Sequence, residues 1–519
     1  MSKKLQRLPI GIQDFEKIRR DEYLYVDKTE HIYNLIDRGC YYFLSRPRRF
    51  GKSLLMSTIK ALFLGKRELF KGLAIDEKED IDWAEHPVLH LDLNTEKYDA
   101  KEKLEDKINT FLSEQETLYG KVDWERSFGT RFEGIIKRAY EKTGKRVVIL
   151  VDEYDKPMLQ AIGNRELQDE FRGTLKGFYG ALKSMDACIK FALLTGVTKF
   201  GKVSVFSDLN NLEDISMLRQ YNDICGISEG EMLKYFPEHI AALAEANDMT
   251  REECIEELRQ RYDGYHFHQS ADGMYNPFSV LNTFKNKEFG DYWFETGTPT
   301  YLVELLRRHH YDLEQMSKAE VTADVLNSID SESNDPIPVI YQSGYLTIKN
   351  YKERFKKYVL GFPNKEVERG FVQYLAPYYF SKELRRNAFD VEEFANDVEG
   401  GQPDCFCKRL QTLFASAPYD AEMSREGNYQ NVVWVVFKML GFYTQMEYKT
   451  SDGRIDLLVE TADYRYVMEF KLDGTAEEAL QQIKDKDYPM QFQLNDKKTY
   501  LVGINFTKET RTIEKWVIE

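Results

Sequence analysis

Cysteine is scarce and unpatterned in this chain of 519 residues: Cys40, Cys188, Cys225, Cys254, Cys405 and Cys407 show no framework spacing, and only the last two lie close together. That excludes a disulfide-stapled secreted scaffold and fits a reducing compartment. Long hydrophobic runs are missing too. No stretch approaches the ~20 apolar residues that a membrane helix needs, and the Met-Ser-Lys-Lys start lacks the apolar region of a signal peptide. A cytoplasmic protein with no membrane partner is therefore expected. Basic residues are outnumbered, 72 Lys and Arg against 87 Asp and Glu, for a net charge of −15. Such a balance disfavours nucleic-acid binding by the whole surface and leaves room for a local basic groove. Low-complexity tracts and fixed-period repeats are absent. Aromatic residues are what the chain has in plenty, 33 Tyr and 32 Phe, enough to help fill the roughly two to four cores that this length implies.

The segment Tyr41-Tyr42-Phe43-Leu44-Ser45-Arg46-Pro47-Arg48-Arg49-Phe50-Gly51-Lys52-Ser53 reads as a buried strand running into a phosphate-binding loop and then a helix. Gly51 lets backbone N–H groups approach phosphate, Lys52 supplies a charge for the β/γ-phosphates, and Ser53 supplies a hydroxyl for Mg²⁺. The usual pattern has a first glycine where this chain has Arg46, so a surface loop that happens to contain Gly-Lys-Ser is the competing interpretation. A second segment, Val147-Val148-Ile149-Leu150-Val151-Asp152-Glu153, is a continuous apolar run ending in two acids. A central parallel strand presents carboxylates at its C-terminal edge in this way. Asp152 is expected to hold Mg²⁺, and Glu153 to polarise the water that attacks the γ-phosphate; the plain alternative is an acidic strand cap. A third run, Phe191-Ala192-Leu193-Leu194-Thr195-Gly196-Val197-Thr198-Lys199, brings Thr195 and Thr198 to the same edge, either to sense the γ-phosphate or to cap a turn. ATP with Mg²⁺ is accordingly expected on Arg49, Phe50, Gly51, Lys52, Ser53, Leu54, Asp152 and Thr195.

Strand-like runs at 41–45, 87–93, 147–151 and 190–195 alternate with amphipathic segments at 101–118, 131–142 and 164–183, the rhythm of a mostly parallel sheet covered by helices. Helical stretches at 229–246 and 250–262 lead to the aromatic segment Arg261-Tyr262-Asp263-Gly264-Tyr265-His266-Phe267, which is expected to close a helical lid. His266 and His268 would share a strand face, but no acid or cysteine completes a metal set, so they read as packing or hydrogen-bonding groups. Residues 301–415 read as a mainly helical connector with a strand at 338–348. Basic clusters occur at Arg46, Arg48 and Arg49, at Arg307-Arg308-His309-His310, and at Lys349, Lys352, Arg354, Lys356 and Lys357 between aromatic residues. Each is either a solvated face or a nucleic-acid contact.

After an amphipathic helix at about 428–440 come strand-like runs at 442–449, 454–460 and 464–471, a helix at 475–486 and a last strand near 498–505. Asp456 sits in the second run, and Glu469 and Lys471 in the third, where the strand period of two places both on one face with Phe470 pointing to the core. Two carboxylates binding Mg²⁺ beside a lysine that positions the attacking water are what a metal-dependent phosphodiesterase needs. A strand with a wet face is the bland alternative. Glu426 is a further candidate acid, and Gln482 with Tyr488 a candidate buttress.

With both constellations in view, the chain resembles the bacterial AAA-ATPase-like proteins that carry a C-terminal nuclease domain of the PD-(D/E)XK superfamily. The residues that carry the resemblance are Leu8-Pro9-Ile10-Gly11, Tyr25-Val26-Asp27-Lys28-Thr29, the Arg46 to Ser53 loop, Val151-Asp152-Glu153-Tyr154-Asp155, Leu194-Thr195-Gly196, Tyr262-Asp263-Gly264-Tyr265, and Gly453-Arg454-Ile455-Asp456 with Glu469-Phe470-Lys471. The family writes its loop with Arg-Pro-Arg-Arg-Phe before Gly-Lys-Ser, so Arg46 is in keeping with it. In the superfamily the first metal acid often follows a proline, whereas Asp456 follows Ile455.

The resemblance implies an α/β chain: a P-loop NTPase parallel sheet at 1–225, a helical lid region at 226–300, the connector at 301–415, and a restriction-endonuclease-like α/β domain at 416–519. It implies ATP and Mg²⁺ as cofactors, Glu153, Asp456, Glu469 and Lys471 as catalytic residues, and Ser53, Asp152, Asp456 and Glu469 as metal ligands. DNA is the implied partner, and a homo-oligomer is compatible with the family. Lys199 and Lys202 are the nearest cationic candidates for a finger acting in trans. Two functions compete: an ATP-dependent nuclease, and a nucleotide-switched sensor whose C-terminal fold grips nucleic acid or protein without cutting.

Overall fold

The computed structural model describes residues 5–199, 211–293, 306, 313–316, 318–327, 335–379, 391–415, 435–436, 438, 447–449, 457–485, 497–507, 509 and 512–519. The chain divides into two compact units, Met1–Leu305 with Ser317–Val367, and Leu306–Met316 with Glu368–Glu519.

The first unit opens with α1 (Phe15–Arg20) and α2 (Thr29–Arg38), enters β1 (Tyr41–Ser45), and turns through the Gly-Lys-Ser loop into α3 (Lys52–Phe63). There follow β2 (Val88–Asp92), α4 (Lys101–Tyr119), α5 (Phe128–Thr143), β3 (Val147–Asp152), α6 (Lys156–Gln160), α7 (Arg165–Tyr179), α8 (Ala181–Ser184), β4 (Ile189–Gly196) and β5 (Glu213–Asp214). These strands make one parallel sheet in the order β2-β3-β4-β1-β5. Every residue of β1 and β3 is buried, as continuous apolar runs require when helices cover both faces. Helices α4, α5 and α7 contribute Leu104, Ile108, Phe132, Ile135, Phe171 and Leu175 to a core shared with Ile149 and Val151 of β3. The four expected strands are found with limits within one residue. Because β4 lies between β1 and β3, the Gly-Lys-Ser loop and the two acids flank a strand whose end carries Thr195.

The helical stretch expected at 229–246 is broken in two. Proline lacks an amide hydrogen and disfavours helix in the residue before it; so α9 (Glu229–Tyr235) stops before Phe236, and α10 (Pro237–Ala246) starts at Pro237. With α11 (Arg251–Tyr262) and α12 (Pro277–Asn286) these helices enclose Met232, Phe236, Ile240, Leu258 and Phe284. Ser228 and Thr250 start α9 and α11 with reciprocal capping boxes, closed by Glu231 and Glu253.

The strand expected at 338–348 is corrected. After β6 (Glu320–Thr322) and α13 (Ala323–Asn327), residues 337–342 form a helix, α14 (Ile337–Gln342), and extended structure resumes only in β7 (Thr347–Lys352). Gly344 redirects the chain between them at φ +91°, and a Cβ there would fall 2.6 Å from Pro47 Cβ of the loop after β1. β8 (Lys357–Gly361) completes an antiparallel sheet in the order β6-β8-β7 that the sequence reading did not contain. His266 and His268 lie on no strand: His266 Nδ1 pairs with the Gly264 carbonyl at 2.9 Å, and His268 Nδ1 accepts from the Ser270 amide at 3.1 Å.

The chain passes into the second unit within α15 (Lys365–Tyr379), followed by α16 (Val391–Glu399) and α17 (Pro403–Ala415). The sheet there is mixed, in the order β13-β12-β11-β10-β9, from β9 (Glu447–Lys449), β10 (Leu457–Glu460), β11 (Tyr464–Leu472), β12 (Lys498–Thr507) and β13 (Thr512–Ile518). Only β11 and β12 are parallel, and α18 (Ala476–Asp485) makes their crossover. β13 is a further strand beyond the expected last one. Most of the helix expected at 428–440, together with Glu426, Asp456 and Tyr488, lies outside the described residues.

Gly503 of β12 sits in register with Glu469 of β11 and lets α18 lie close to the sheet, since a Cβ there would be 2.6 Å from the Leu480 amide nitrogen. Replacing Gly503 by Ala is expected to push α18 off the sheet at a cost on the order of 1–3 kcal/mol. Hydrogen exchange across α18 should then quicken by about tenfold or more. Exchange at the parental rate would refute the close-approach explanation.

Candidate functional sites

A cavity of about 430 Å³ opens at the C-terminal edge of the parallel sheet. Its floor comes from the loop after β1 and the first turn of α3, namely Arg48, Arg49, Gly51, Lys52, Ser53 and Leu54. Gly51 precedes α3 at φ 96°, a conformation that suits glycine, so the chain can turn sharply into a helix whose first residues, Lys52, Ser53 and Leu54, line the cavity. Arg49 adopts φ 66°, and its guanidinium lies 5.0 Å from the Phe278 ring centroid. Glu153 also lines the cavity. Its left-handed backbone (φ 54°), which for a non-glycine residue costs roughly 1–2 kcal/mol, follows directly on the end of β3.

Lys52 is buried, donates to the carbonyls of Arg46 at 3.0 Å and Pro47 at 3.3 Å, and lies 3.4 Å from Glu153 Oε1. Asp152, Glu153 and Thr195 form a linked group. Thr195 donates to Asp152 Oδ1 at 2.5 Å, and the same oxygen accepts the Glu153 amide at 3.1 Å. Thr195 is fully buried, so its hydroxyl serves Asp152 rather than opening onto the cavity. Thr198 caps a turn, its amide and hydroxyl both donating to Asp155 Oδ2 at 2.6 Å. Burial, and next Glu153, push the Asp155 carboxyl up to about 6. Phe50 is buried against Tyr265 and Phe267 and lines a smaller apolar cavity of about 100 Å³ rather than the larger one.

Arg46 is no phosphate ligand here. It is fully buried, with Nη1 donating to the Ser45 and Ser216 carbonyls and Nη2 to those of Tyr221 and Asn222. Lys199 is equally committed, paired with Asp214 at 2.9 Å and bonded to Asn327 at 2.5 Å, which removes it as a finger reaching another copy; Lys202 lies outside the described residues. Trp293 Nε1 donates to the Arg48 carbonyl at 3.0 Å, while the Trp293 amide donates to Glu366 Oε1 at 2.7 Å. Burial pushes the Glu366 carboxyl up to about 8.

Sequence reasoning gave no role to Pro9, Ile10, Asn94, Lys156, Pro277 or Phe278, all of which line the cavity. Lys156 bonds to the Asn94 backbone carbonyl and side chain, and burial lowers its pKa. Pro9 and Ile10 stood among the motif residues; for Phe278, far along the chain, no local signal existed.

In the second unit Glu469 and Lys471 do share a face of β11, and α18 covers it. The Gln482 amide joins them, its nitrogen donating to Glu469 Oε1 and its oxygen accepting from Lys471 Nζ. Glu469 is only 2 % exposed, whereas Phe470 is half-buried beside Phe506, so the acid and not the aromatic is the inward residue. No group of three or more His, Cys, Asp or Glu that could hold a metal occurs among the described residues, and Asp456, the residue before β10, is not among them.

Comparison with known proteins matches residues 9–206 to the family model described as predicted AAA-ATPase, and residues 424–516 to the PD-(D/E)XK nuclease superfamily. A protein of Azotobacter chroococcum mcd 1, described as "Uncharacterized protein in vnfD 5'region", is 37% identical over 538 residues, covering 100% of this chain and 99% of that one. The solved Aeropyrum pernix ORC2 protein (ADPNP-ADP complexes) aligns over 69% of this chain and 95% of that one at 9% identity and a TM-score of 0.24, too loose a likeness to argue from. No helix among the described residues is long and apolar enough to cross a membrane. From the relative matched along its whole length and the two matched models, the chain belongs to the predicted AAA-ATPase family and carries a PD-(D/E)XK nuclease superfamily domain at residues 424–516.

Proposed function

We propose that the first unit binds and hydrolyses ATP with Mg²⁺, and that its nucleotide state controls Mg²⁺-dependent cleavage of DNA by the C-terminal domain. The observation that carries the nucleotide half is Lys52 facing Glu153 at 3.4 Å in a cavity floored by the start of α3. In this proposal Lys52 leaves its carbonyl partners and Glu153 for the β/γ-phosphates, and the amides at the start of α3 hold phosphate oxygens. Pro9, Ile10, Pro277 and Phe278 offer the base an apolar wall. Ser53 and Asp152 are the hard oxygen donors that suit Mg²⁺. Once bound, the ion neutralises charge developing on the transferred phosphoryl group. Glu153, released from Lys52, accepts a proton from the attacking water.

In the second unit Glu469, with Asp456, is proposed to hold the metal, and Lys471 to face the attacking water. Support comes from the superfamily match and from Gln482, which fixes acid and lysine together on one strand face.

Lys52→Ala should weaken ATP binding by about 1.5–3 kcal/mol, because a charge-assisted phosphate contact is lost; unchanged affinity by calorimetry would sink the assignment. Glu153→Gln should keep nucleotide binding and slow hydrolysis by about 10²- to 10⁴-fold, and turnover at the parental rate would reduce Glu153 to an acidic strand cap. Glu469→Gln and Lys471→Ala should each abolish DNA cleavage in Mg²⁺ while leaving ATP hydrolysis intact, since the two sites lie in separate cores. A parental protein that cuts no DNA with ATP, ADP or no nucleotide would favour the non-cleaving sensor instead.

A further inference from the structure

We propose that the tip of the β7–β8 hairpin grips single-stranded DNA, with phosphates on Arg354, Lys356 and Lys357 and a base stacked on Phe355. Between Lys349 and Lys357 the chain carries five cations (Lys349, Lys352, Arg354, Lys356, Lys357) and one acid, Glu353, in a protein whose net charge is −15. Lys349 is occupied by the Pro363 carbonyl and Lys352 by Glu320. Arg354, Lys356 and Lys357 make no ion pair among the described residues. Phe355 stands at their centre, 62 % exposed; among the described large hydrophobic residues only Trp124 is more so. The Arg354 guanidinium lies 5.4 Å from its ring centroid.

The mount is firm. Tyr351 and Tyr358 pack across the two strands with centroids 4.8 Å apart, and Lys356 closes the tip in the left-handed region at φ 50°. At the other end of β7, Thr347 Oγ1 accepts the His266 amide at 2.8 Å. An exposed aromatic ring flanked by cations that make no ion pair among the described residues suits a strand that offers both phosphates and unpaired π-faces. In a duplex the bases are already stacked, so Phe355 would be left without a partner.

The choice of DNA rests on the function proposed above, but cleavage is not needed. Fluorescence anisotropy of the full chain with a labelled single-stranded oligonucleotide and its duplex, in EDTA and without nucleotide, separates the two. The parental protein should prefer the single strand, and Phe355→Ala should weaken that binding by about tenfold. Replacing Arg354, Lys356 and Lys357 by Ala together should flatten the dependence of log affinity on log salt by about two units. ATP hydrolysis at the parental rate in both variants would show that the fold is intact. Binding indifferent to Phe355, an unchanged salt slope, a preference for duplex, or no DNA binding by the parental protein would each overturn the hairpin assignment. Hairpin-dependent binding without any cleavage in Mg²⁺ would overturn the nuclease proposal alone, and cleavage dependent on Lys471 with hairpin-independent binding would overturn the hairpin alone.

Discussion

A guanidinium held in the interior by carbonyl oxygens is the constraint on which the loop between β1 and α3 is built. Withdrawing a cation from water costs several kcal/mol unless its donors are answered. Carbonyls from the end of β1 and from the 216–222 segment answer the Nη1 and Nη2 donors of Arg46, its Nε alone has no hydrogen-bond partner among the described residues, and its guanidinium lies 4.0 Å from the Phe267 ring centroid. Burial lowers its pKa to about 10, so it stays charged at neutral pH. In the usual motif a glycine at this place gives a loop its freedom. Here the loop is organised around a side chain, and the lysine that follows rests on that same residue's carbonyl.

A comparable arrangement governs the end of β4. Asp155 receives the Val197 and Thr198 amides and the Thr198 hydroxyl, holding the strand exit against the segment after β3. Gly196 permits that approach, since a Cβ there would lie 2.5 Å from Asp155 Oδ1 and 2.8 Å from the Tyr154 ring. The carboxylate that orders this edge is thus the next acid after Glu153, two residues on and set back from the cavity, and Gln342 extends the tie by accepting the Lys199 amide at 2.6 Å.

How much of this could be read in advance follows from how local each signal is. β1, β3 and β4 were legible because a strand buried on both faces is apolar along nearly its whole length, and the loop and acids because they adjoin those strands, whereas β5, two acids long, carried no such signal. The 337–342 segment was not, since a short buried run of Ile, Val and Tyr looks the same as helix or strand by periodicity. β13 was missed because only Ile513 along it is buried. The strand-face pairing of Glu469 with Lys471 was visible in the period of two, but the burial of Glu469 depends on α18, whose distance from the sheet is set by Gly503. Arg46 looked like a defect because its partners lie some 170 residues further on. Lys199 looked available because nothing near it in sequence announces Asp214 or Asn327 as its partners.

One bond made by the loop between β1 and α3 has an optical consequence. The indole of Trp293 donates to the carbonyl of Arg48, a residue of the loop between β1 and α3, while its backbone amide donates to the Glu366 carboxyl, whose pKa burial pushes up to about 8. Indole emission depends on what its N–H faces. A movement of Arg48 that breaks this bond would alter the colour and yield of Trp293 fluorescence, so the loop carries a built-in spectroscopic probe of its own position.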